Sequence, residues 1–353
     1  MEKLNERIRN YYLVRFRFIL IFFLSGLILT TCKKVPDKPY IQSVVGVHDL
    51  DSSQVWLSHE HILVDFIGAD SIDQNKWNQD SVIKTMLPYL NQLKDYKVKY
   101  FVDATPAYLG RDPVLLKKIA ERTGLIIITN TGFYGAYQNK YVPSFAKVLS
   151  AEKLADIWIG EFEHGIDKTS VKPGFIKISV DVADPLDSIH QKIVKAAALT
   201  HLKTGLTIAS HTGLADGLWP QLQILKENGV SPKAFIWVHA NKEENNENYL
   251  KAAQMGCWIS FDGVAWEGEV EKTLEKLIFA KKNHILNKIL ISHDAGWYDP
   301  QKQVQTVMPY TNIFTKLLPA LKAQGFTDNE IKTLVSVNLA RAFSIGIKKV
   351  KSD

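Results

Sequence analysis

Eight short apolar runs recur along the chain and alternate with amphipathic stretches, and this alternation constrains the fold more than any other feature. The runs are rich in Ile, Val and Phe, as strands buried on both faces are. They cover residues 55–61, 100–104, 125–131, 175–180, 206–211, 234–239, 257–261 and 288–293. Helical periodicity is clearest in residues 81–96, 151–166, 187–204 and 269–282. The repeated order of strand and helix predicts an α/β fold, a (β/α)8 TIM barrel.

A doubly wound open sheet is the alternative fold for this alternation. It is disfavoured because no glycine-rich phosphate fingerprint follows the first apolar run, and Gly110-Arg111-Asp112 does not have that pattern. Two further helical patterns, in residues 309–323 and 328–343, predict extra C-terminal helices on the outside or the base of the barrel. We therefore expect a single barrel domain over residues 46–353.

The first 31 residues have the features of a signal peptide. A basic start precedes an apolar run at 18–29, and twelve helical residues rise about 18 Å, short of the roughly 30 Å core of a bilayer. The run ends at Cys32, and a stretch rich in Lys and Pro follows. This order resembles a bacterial lipoprotein signal, although Thr31 stands where a smaller residue is usual. An uncleaved membrane anchor is the alternative.

The lipoprotein interpretation carries several expectations. It implies a lipidated Cys32, a tether over residues 32–45 and a location in the cell envelope, facing the periplasm or in the outer membrane. The membrane would be contacted through the lipid anchor only. The leader holds five basic and two acidic residues, which is half of the formal charge of +6. The remainder gives no strong electrostatic case for binding nucleic acid. Two cysteines exclude a disulfide scaffold and a Cys-rich zinc module.

Imidazole, carboxylate and amine side chains interrupt or follow the apolar runs. The first run ends His59-Glu60-His61, and residues two apart in a strand point to the same side, so both imidazoles can face one ion. Each such residue alone has a structural explanation: a hydrogen-bonded histidine, a lysine that reaches solvent, or an aspartate that caps a helix. In a barrel, however, all carboxyl ends of strands meet at one mouth. The set predicts a metal site formed by His59, His61, Lys177, His211, His239 and Asp294.

Several segments, in this order along the chain, resemble the phosphotriesterase-like family of the amidohydrolase superfamily. They are Val102-Asp103-Ala104, Gly110-Arg111-Asp112, Thr131-Gly132-Phe133-Tyr134, Ser260-Phe261-Asp262-Gly263 and Val337-Asn338-Leu339-Ala340-Arg341. Together with the six side chains above, the resemblance extends from about residue 54 to residue 343, which is nearly the whole predicted barrel.

The resemblance implies two divalent metal ions, zinc first and manganese or cobalt as alternatives. His59, His61 and Asp294 would hold the more buried ion, and His211 with His239 the more exposed one. Lys177 would bridge both ions as a carbamate formed with carbon dioxide. Burial favours the neutral amine that this modification requires. A hydroxide shared by the ions would attack the substrate while Asp294 takes a proton, so Asp294 and Lys177 are the implied catalytic residues.

For the substrate we expect a small-molecule lactone or other ester, with phosphotriester cleavage as a further activity. Tyr134 and Trp297 follow strands and are predicted to contact it; Trp266 and Tyr298 lie in similar positions. No basic subsite for a phosphate-bearing substrate is marked in the sequence. The turn after His239 departs from the acidic turn that is frequent in the family, since it contains Asn241 and Lys242.

Two other functions remain alternatives. One is a lipoprotein that retains metal and binds a ligand without catalysis. The other is hydrolysis of an amide or of a phosphorylated sugar lactone. The sequence does not determine the oligomeric state, and a homodimer and a monomer are the two alternatives. Activity loss on changing Lys177 or Asp294, with folding and metal content preserved, would separate catalysis from binding.

Overall fold

A computed structural model of the protein describes residues 38–350. The predicted signal peptide and Cys32 therefore lie outside the described residues. The strands are β1 (Tyr40–Ser43), β2 (Gly46–Asp49), β3 (Val55–Leu63), β4 (Val98–Asp103), β5 (Ile126–Ile128), β6 (Asn130–Thr131), β7 (Phe175–Ser179), β8 (Ile208–His211), β9 (Phe235–Val238), β10 (Trp258–Phe261), β11 (Ile289–Ile291) and β12 (Gly296–Tyr298).

The helices alternate with the strands, as the periodicity predicts. They are α1 (Gln79–Gln92), α2 (Pro113–Thr123), α3 (Ser144–Val148), α4 (Ala151–His164), α5 (Ser188–Thr204), α6 (Ala215–Glu227), α7 (Asn246–Met255), α8 (Glu269–Lys282), α9 (Leu318–Ala323), α10 (Asp328–Lys332) and α11 (Asn338–Phe343). Helix α2 shows why they begin and end where they do. The Asp112 side chain accepts a hydrogen bond from the Leu115 N–H, Pro113 occupies the first turn, and Gly124 ends the helix with a φ of 75°.

The parallel strands form a (β/α)8 barrel, which confirms the predicted fold. One sheet has the order β12-β3-β4-β5 and the other runs from β6 to β11 in sequence order. Strands β5 and β6 are two halves of the third barrel strand, separated by Thr129. At the other seam, the Asp294 N–H donates to the His59 carbonyl at 3.0 Å and the His61 N–H to the Ala295 carbonyl at 2.9 Å. These bonds place the chain after β11 beside β3.

Helix α11 covers the base of the barrel, one of the two positions predicted for the C-terminal helices. Leu339 and Phe343 of α11 pack in one buried cluster with Trp56 and Phe175, which lie at the starts of β3 and β7. Trp56 also stacks on Tyr100, with ring centroids 3.9 Å apart. Because the base is filled by apolar side chains, access from solvent is left to the opposite end, where the strands finish.

The predicted boundary between tether and barrel is wrong. Residues 40–44 are buried, and the Val44 N–H donates to the Ile127 carbonyl at 2.9 Å. The Lys- and Pro-rich composition ends at Pro39, and the side chains of Tyr40, Ile41 and Val44 that follow are buried. The folded body thus begins near residue 40. Across residues 38–350 no helix combines the length and the apolar character needed to cross a bilayer.

Candidate metal centre

A cavity of about 430 Å³ opens at the carboxyl ends of the strands. Strands β3, β7 and β8 and the residues that follow β9 and β11 each contribute to its floor. The six side chains predicted as metal ligands all line this one cavity: His59, His61, Lys177, His211, His239 and Asp294. The structure therefore brings together residues that are far apart in the sequence, since His59 and Asp294 are separated by 235 positions.

Asp294 lies at the centre of the cluster. Its Oδ1 is 3.1 Å from His61 Nε2 and 3.7 Å from His59 Nε2. The Lys177 Nζ lies 3.5 Å from the same His59 Nε2. The rings of His211 and His239 are 4.3 Å apart between centroids, and His239 is 5.1 Å from His59. Imidazole nitrogens and a carboxylate this close together, with an amine between them, are the donor set of a divalent metal site.

Asp262, directly after β10, orients two of these histidines. Its Oδ2 accepts from His59 Nδ1 at 3.0 Å, and its Oδ1 from His239 Nδ1 at 2.7 Å. Its Oδ2 also accepts from the His239 backbone N–H at 3.1 Å. These are hydrogen-bond distances, so Asp262 supports the histidines rather than completing a separate ion site with them. A carboxylate at Nδ1 fixes the tautomer that leaves Nε2 free for a metal.

His61 has the same kind of support, since its Nδ1 lies 2.7 Å from the Thr105 hydroxyl. His293, next to Asp294 in sequence, points away from the cavity. Its Nδ1 lies 2.8 Å from Glu60 Oε1, and its Nε2 accepts from the Ile313 N–H at 3.0 Å. Both ring nitrogens of His293 are thus engaged outside the cavity. The roles of Asp262 and Thr105 were missed, although Ser260-Phe261-Asp262-Gly263 was noted as a family segment.

Burial controls the protonation of the cluster in the metal-free protein. It lowers the pKa of His59 to about 4, and it lowers that of His211 well below its usual value, so both imidazoles are neutral near pH 7. Burial opposes ionisation of Asp294, but the hydrogen bond from His61 and the neighbouring imidazoles outweigh it and lower the pKa of this carboxyl to about 2. Neutral imidazoles and an ionised carboxylate are the forms that bind metals.

Lys177 is fully enclosed, although it is a lysine in the middle of β7. Burial lowers its pKa from the ordinary 10.5 to about 8, against the opposing charges of Asp262 and Asp294. About a tenth of the amine is therefore neutral at pH 7, and only the neutral amine can react with carbon dioxide. The donor set and the orienting contacts fit a divalent metal site.

Aromatic rings form part of the cavity wall, beside aliphatic residues and the carboxylates of Glu267 and Glu269. Tyr134 and Trp297, the two predicted substrate contacts, both line it together with Trp266, whereas Tyr298 does not. Tyr134 Oη lies 2.9 Å from His211 Nδ1, and burial raises the pKa of this phenol well above its usual value. Trp297 packs edge-on against His61, with 5.5 Å between centroids.

Lys242 also lines the cavity, so a basic group lies at the mouth where none was expected from the sequence. Within residues 38–350 it forms no ion pair with a carboxylate. The family resemblance leads one to expect an acidic residue in the turn after β9. The position of Lys242 at the cavity is therefore evident only in the folded structure.

The model of the phosphotriesterase family matches residues 39–343 of this sequence. The chain belongs to the phosphotriesterase family. Among its relatives, the phosphotriesterase homology protein of Escherichia coli is 25% identical over 295 residues, covering 83% of this chain and 99% of the relative. An aryldialkylphosphatase of Saccharolobus solfataricus is 28% identical over 315 residues, covering 85% and 99%. The human N-acetyltaurine hydrolase is 25% identical over 251 residues, covering 67% and 70%.

Membership in the phosphotriesterase family supports a metal-dependent hydrolase, and the cluster of histidine and aspartate side chains fits metal binding. The relatives carry names for a phosphoester substrate and for an amide substrate, so the family as a whole does not define the bond that this chain cleaves.

Proposed function

We propose that this phosphotriesterase-family chain is a binuclear metal-dependent hydrolase of lactones or other carboxylic esters, with phosphotriesters as a further substrate class. The observation that carries the proposal is the convergence of six metal-binding side chains at the floor of one cavity whose wall is partly aromatic. His59, His61 and Asp294 would hold one ion, and His211 and His239 would hold the other. A carbamate on Lys177 would bind both ions. Bound divalent ions would acidify a water molecule and polarise the oxygen of the scissile bond.

The chain's own groups would then control the proton and the substrate. Asp294 is ionised at neutral pH, so one of its oxygens can accept a proton from the reacting water. Asp262 keeps the Nε2 atoms of His59 and His239 directed toward the ions. The Tyr134 phenol keeps its proton and can donate a hydrogen bond next to His211. The rings of Trp266 and Trp297 contact each other at one side of the cavity, with 5.7 Å between centroids, and would shield that side of a bound substrate from water.

The test uses the chain without its predicted leader, loaded with zinc or manganese. Metal content is measured first, and lactones, carboxylic esters and phosphotriesters are then screened. Lys177→Ala and Asp294→Asn should abolish turnover while the protein stays folded. Lys348→Ala is a matched control, because Lys348 is also largely enclosed but lies outside the cavity. Full metal occupancy without any hydrolysis would instead favour the alternative of a non-catalytic ligand-binding lipoprotein.

The carbamate has a readout that does not depend on activity. Protein loaded in the presence of ¹³C-labelled bicarbonate should show a carbamate carbon signal in its NMR spectrum. Lys177→Ala should lack that signal, and Lys348→Ala should keep it. A metal-loaded wild-type protein without the signal would contradict the bridging role of Lys177.

Hydrolysis of an amide with an anionic end is a second candidate, and Lys242 is the observation that favours it. This ammonium lines the cavity, as do the carboxylates of Glu267 and Glu269, but in the described part of the chain it is paired with no carboxylate, so it is available to an anion. Relatives named N-acetyltaurine hydrolase are similar over two thirds of this chain. Lys242→Gln should lower kcat/KM for N-acetyltaurine by up to about fivefold and leave uncharged lactones unaffected. Lactone turnover without any N-acetyltaurine turnover would eliminate this candidate.

For the location we propose an envelope lipoprotein anchored at Cys32. Cys32→Ala should move the protein from the membrane fraction to the soluble fraction, or leave an unprocessed precursor. Unchanged membrane association would instead favour an uncleaved anchor. We also propose a homodimer, to be tested by light scattering on the chain without residues 1–31; a monomeric mass at micromolar concentration would refute it.

A further inference from the structure

Three consecutive residues at the rim of the cavity adopt a left-handed backbone. They are Tyr137, Gln138 and Asn139, with φ values of 59°, 56° and 60°. L-residues other than glycine rarely adopt this conformation, because Cβ approaches the following carbonyl oxygen. A run of three is therefore not stable by itself and must be held by its surroundings. We call residues 135–139 the rim turn.

The rim turn is attached to the segment that follows β7. Asp181 binds it with both carboxylate oxygens: Oδ1 accepts from the Tyr137 N–H at 2.8 Å, and Oδ2 from the Gln138 N–H at 2.9 Å. The Ala136 N–H donates to the Ser179 hydroxyl at 2.6 Å. Ser179 and Asp181 are two and four residues after Lys177, so the strand that carries the buried lysine also holds the turn.

The turn presents two tyrosines to the cavity. Tyr134 immediately precedes it and lies against His211, while Tyr137 is 63% exposed at the rim. Both line the cavity, and their rings are nearly parallel, with an interplanar angle of 16° and 6.4 Å between centroids. The backbone of the turn determines where this aromatic wall stands. Asp181 itself is absent from the cavity lining and borders a smaller adjoining space of about 160 Å³.

We propose that Asp181 is a positioning residue that sets substrate specificity by clamping the rim turn. Its two hydrogen bonds maintain the left-handed conformation and thereby the position of the Tyr137 ring. An aromatic or other bulky apolar substituent of the substrate packs against that ring. This inference rests on the proposed hydrolase function. The side chain is 42% exposed, so water competes for its oxygens and the expected effects are moderate.

A graded series tests the clamp. Asp181→Asn keeps one acceptor oxygen and Asp181→Ala keeps none. For an ester with an aromatic leaving group, KM should rise about threefold in the first variant and about tenfold in the second, with kcat and metal content nearly unchanged. KM for a small substrate such as δ-valerolactone should stay constant. Asp73→Ala is the matched control, because Asp73 also accepts a backbone N–H, from Asn75 at 3.0 Å, but lies outside the cavity.

Two further measurements separate positioning from mere stabilisation. If Asp181 acts through Tyr137, adding Asp181→Ala to Tyr137→Ala should not raise KM further. Amide hydrogen exchange at Tyr137 and Gln138 should be at least about tenfold faster in Asp181→Ala. Faster exchange with unchanged KM in Asp181→Ala, or additive effects in the double variant, would overturn the specificity role. Unchanged exchange would overturn the clamp.

The test also works if the wild-type protein hydrolyses nothing. Calorimetry on the metal-loaded protein would then compare phenylphosphonate with methylphosphonate. A preference for the phenyl compound that disappears in Asp181→Ala supports the clamp while the hydrolase proposal fails. An equal preference in wild type and variant refutes the clamp, whatever the outcome of the activity screen.

Discussion

Asp262→Asn is the change that tests the metal centre most directly without removing one of its proposed ligands. The carboxylate is fully buried and accepts from His59 Nδ1, His239 Nδ1 and the His239 N–H at 3.0, 2.7 and 3.1 Å. An asparagine has one acceptor oxygen, so its NH₂ group would face one imidazole Nδ1. That histidine must take the other tautomer, which places a proton on Nε2 and removes the lone pair a metal needs.

The expected loss of metal affinity follows from the loss of one acceptor oxygen. Loss of a partner that orients a ligand lowers metal affinity by about 10- to 100-fold, or about 1.4–2.7 kcal/mol. Chelator competition with zinc measures the affinity, and thermal unfolding checks that the variant is folded. Asp112→Asn is the matched control. Asp112 is likewise buried and accepts from the Leu115 N–H at 2.9 Å and from Trp77 Nε1 at 3.0 Å, but it does not line the cavity. The control should lose stability and keep its metal affinity. A folded Asp262→Asn protein with wild-type affinity would refute the reasoning.

Three other outcomes are expected. Burial lowers the pKa of Lys177 to about 8, so between pH 8 and 10.5 the unfolded chain binds more protons than the folded protein. The free energy of unfolding of the metal-free protein should therefore rise over that interval by up to about 3 kcal/mol. Urea titrations of Lys177→Met should lack this increase. Thr105→Val leaves His61 Nδ1 without its partner and should weaken zinc binding about tenfold in the chelator assay, whereas unchanged binding would show that Thr105 is dispensable. Gly132 has a φ of 113°, and an added Cβ would collide with the Lys177 carbonyl, so Gly132→Ala should displace β7 and leave little folded protein; a normal circular dichroism spectrum and metal content would contradict this.

The apolar runs were sufficient to predict the barrel, because each of its strands is buried on both faces and lies next to a helix with its own periodicity. The six cavity side chains could also be predicted from local sequence. Each interrupts or ends an apolar run, where a charged or imidazole group is unusual. The boundary at residue 45 was wrong because burial of β1 depends on distant contacts, such as the hydrogen bond from the Ile345 N–H to the Tyr40 carbonyl at 2.9 Å.

Local sequence determined the fold class and the chemistry available at the mouth: strands, helices, and the residues at the strand ends. The role of each of those residues depends on contacts that form when the chain folds. That Asp262 joins two histidines, that Lys242 reaches the cavity and that Asp181 holds a left-handed turn all depend on separate elements meeting in space. Hydrogen bonds and burial depend on the positions of both partners, and for residues 203 apart, such as His59 and Asp262, the closed barrel sets those positions.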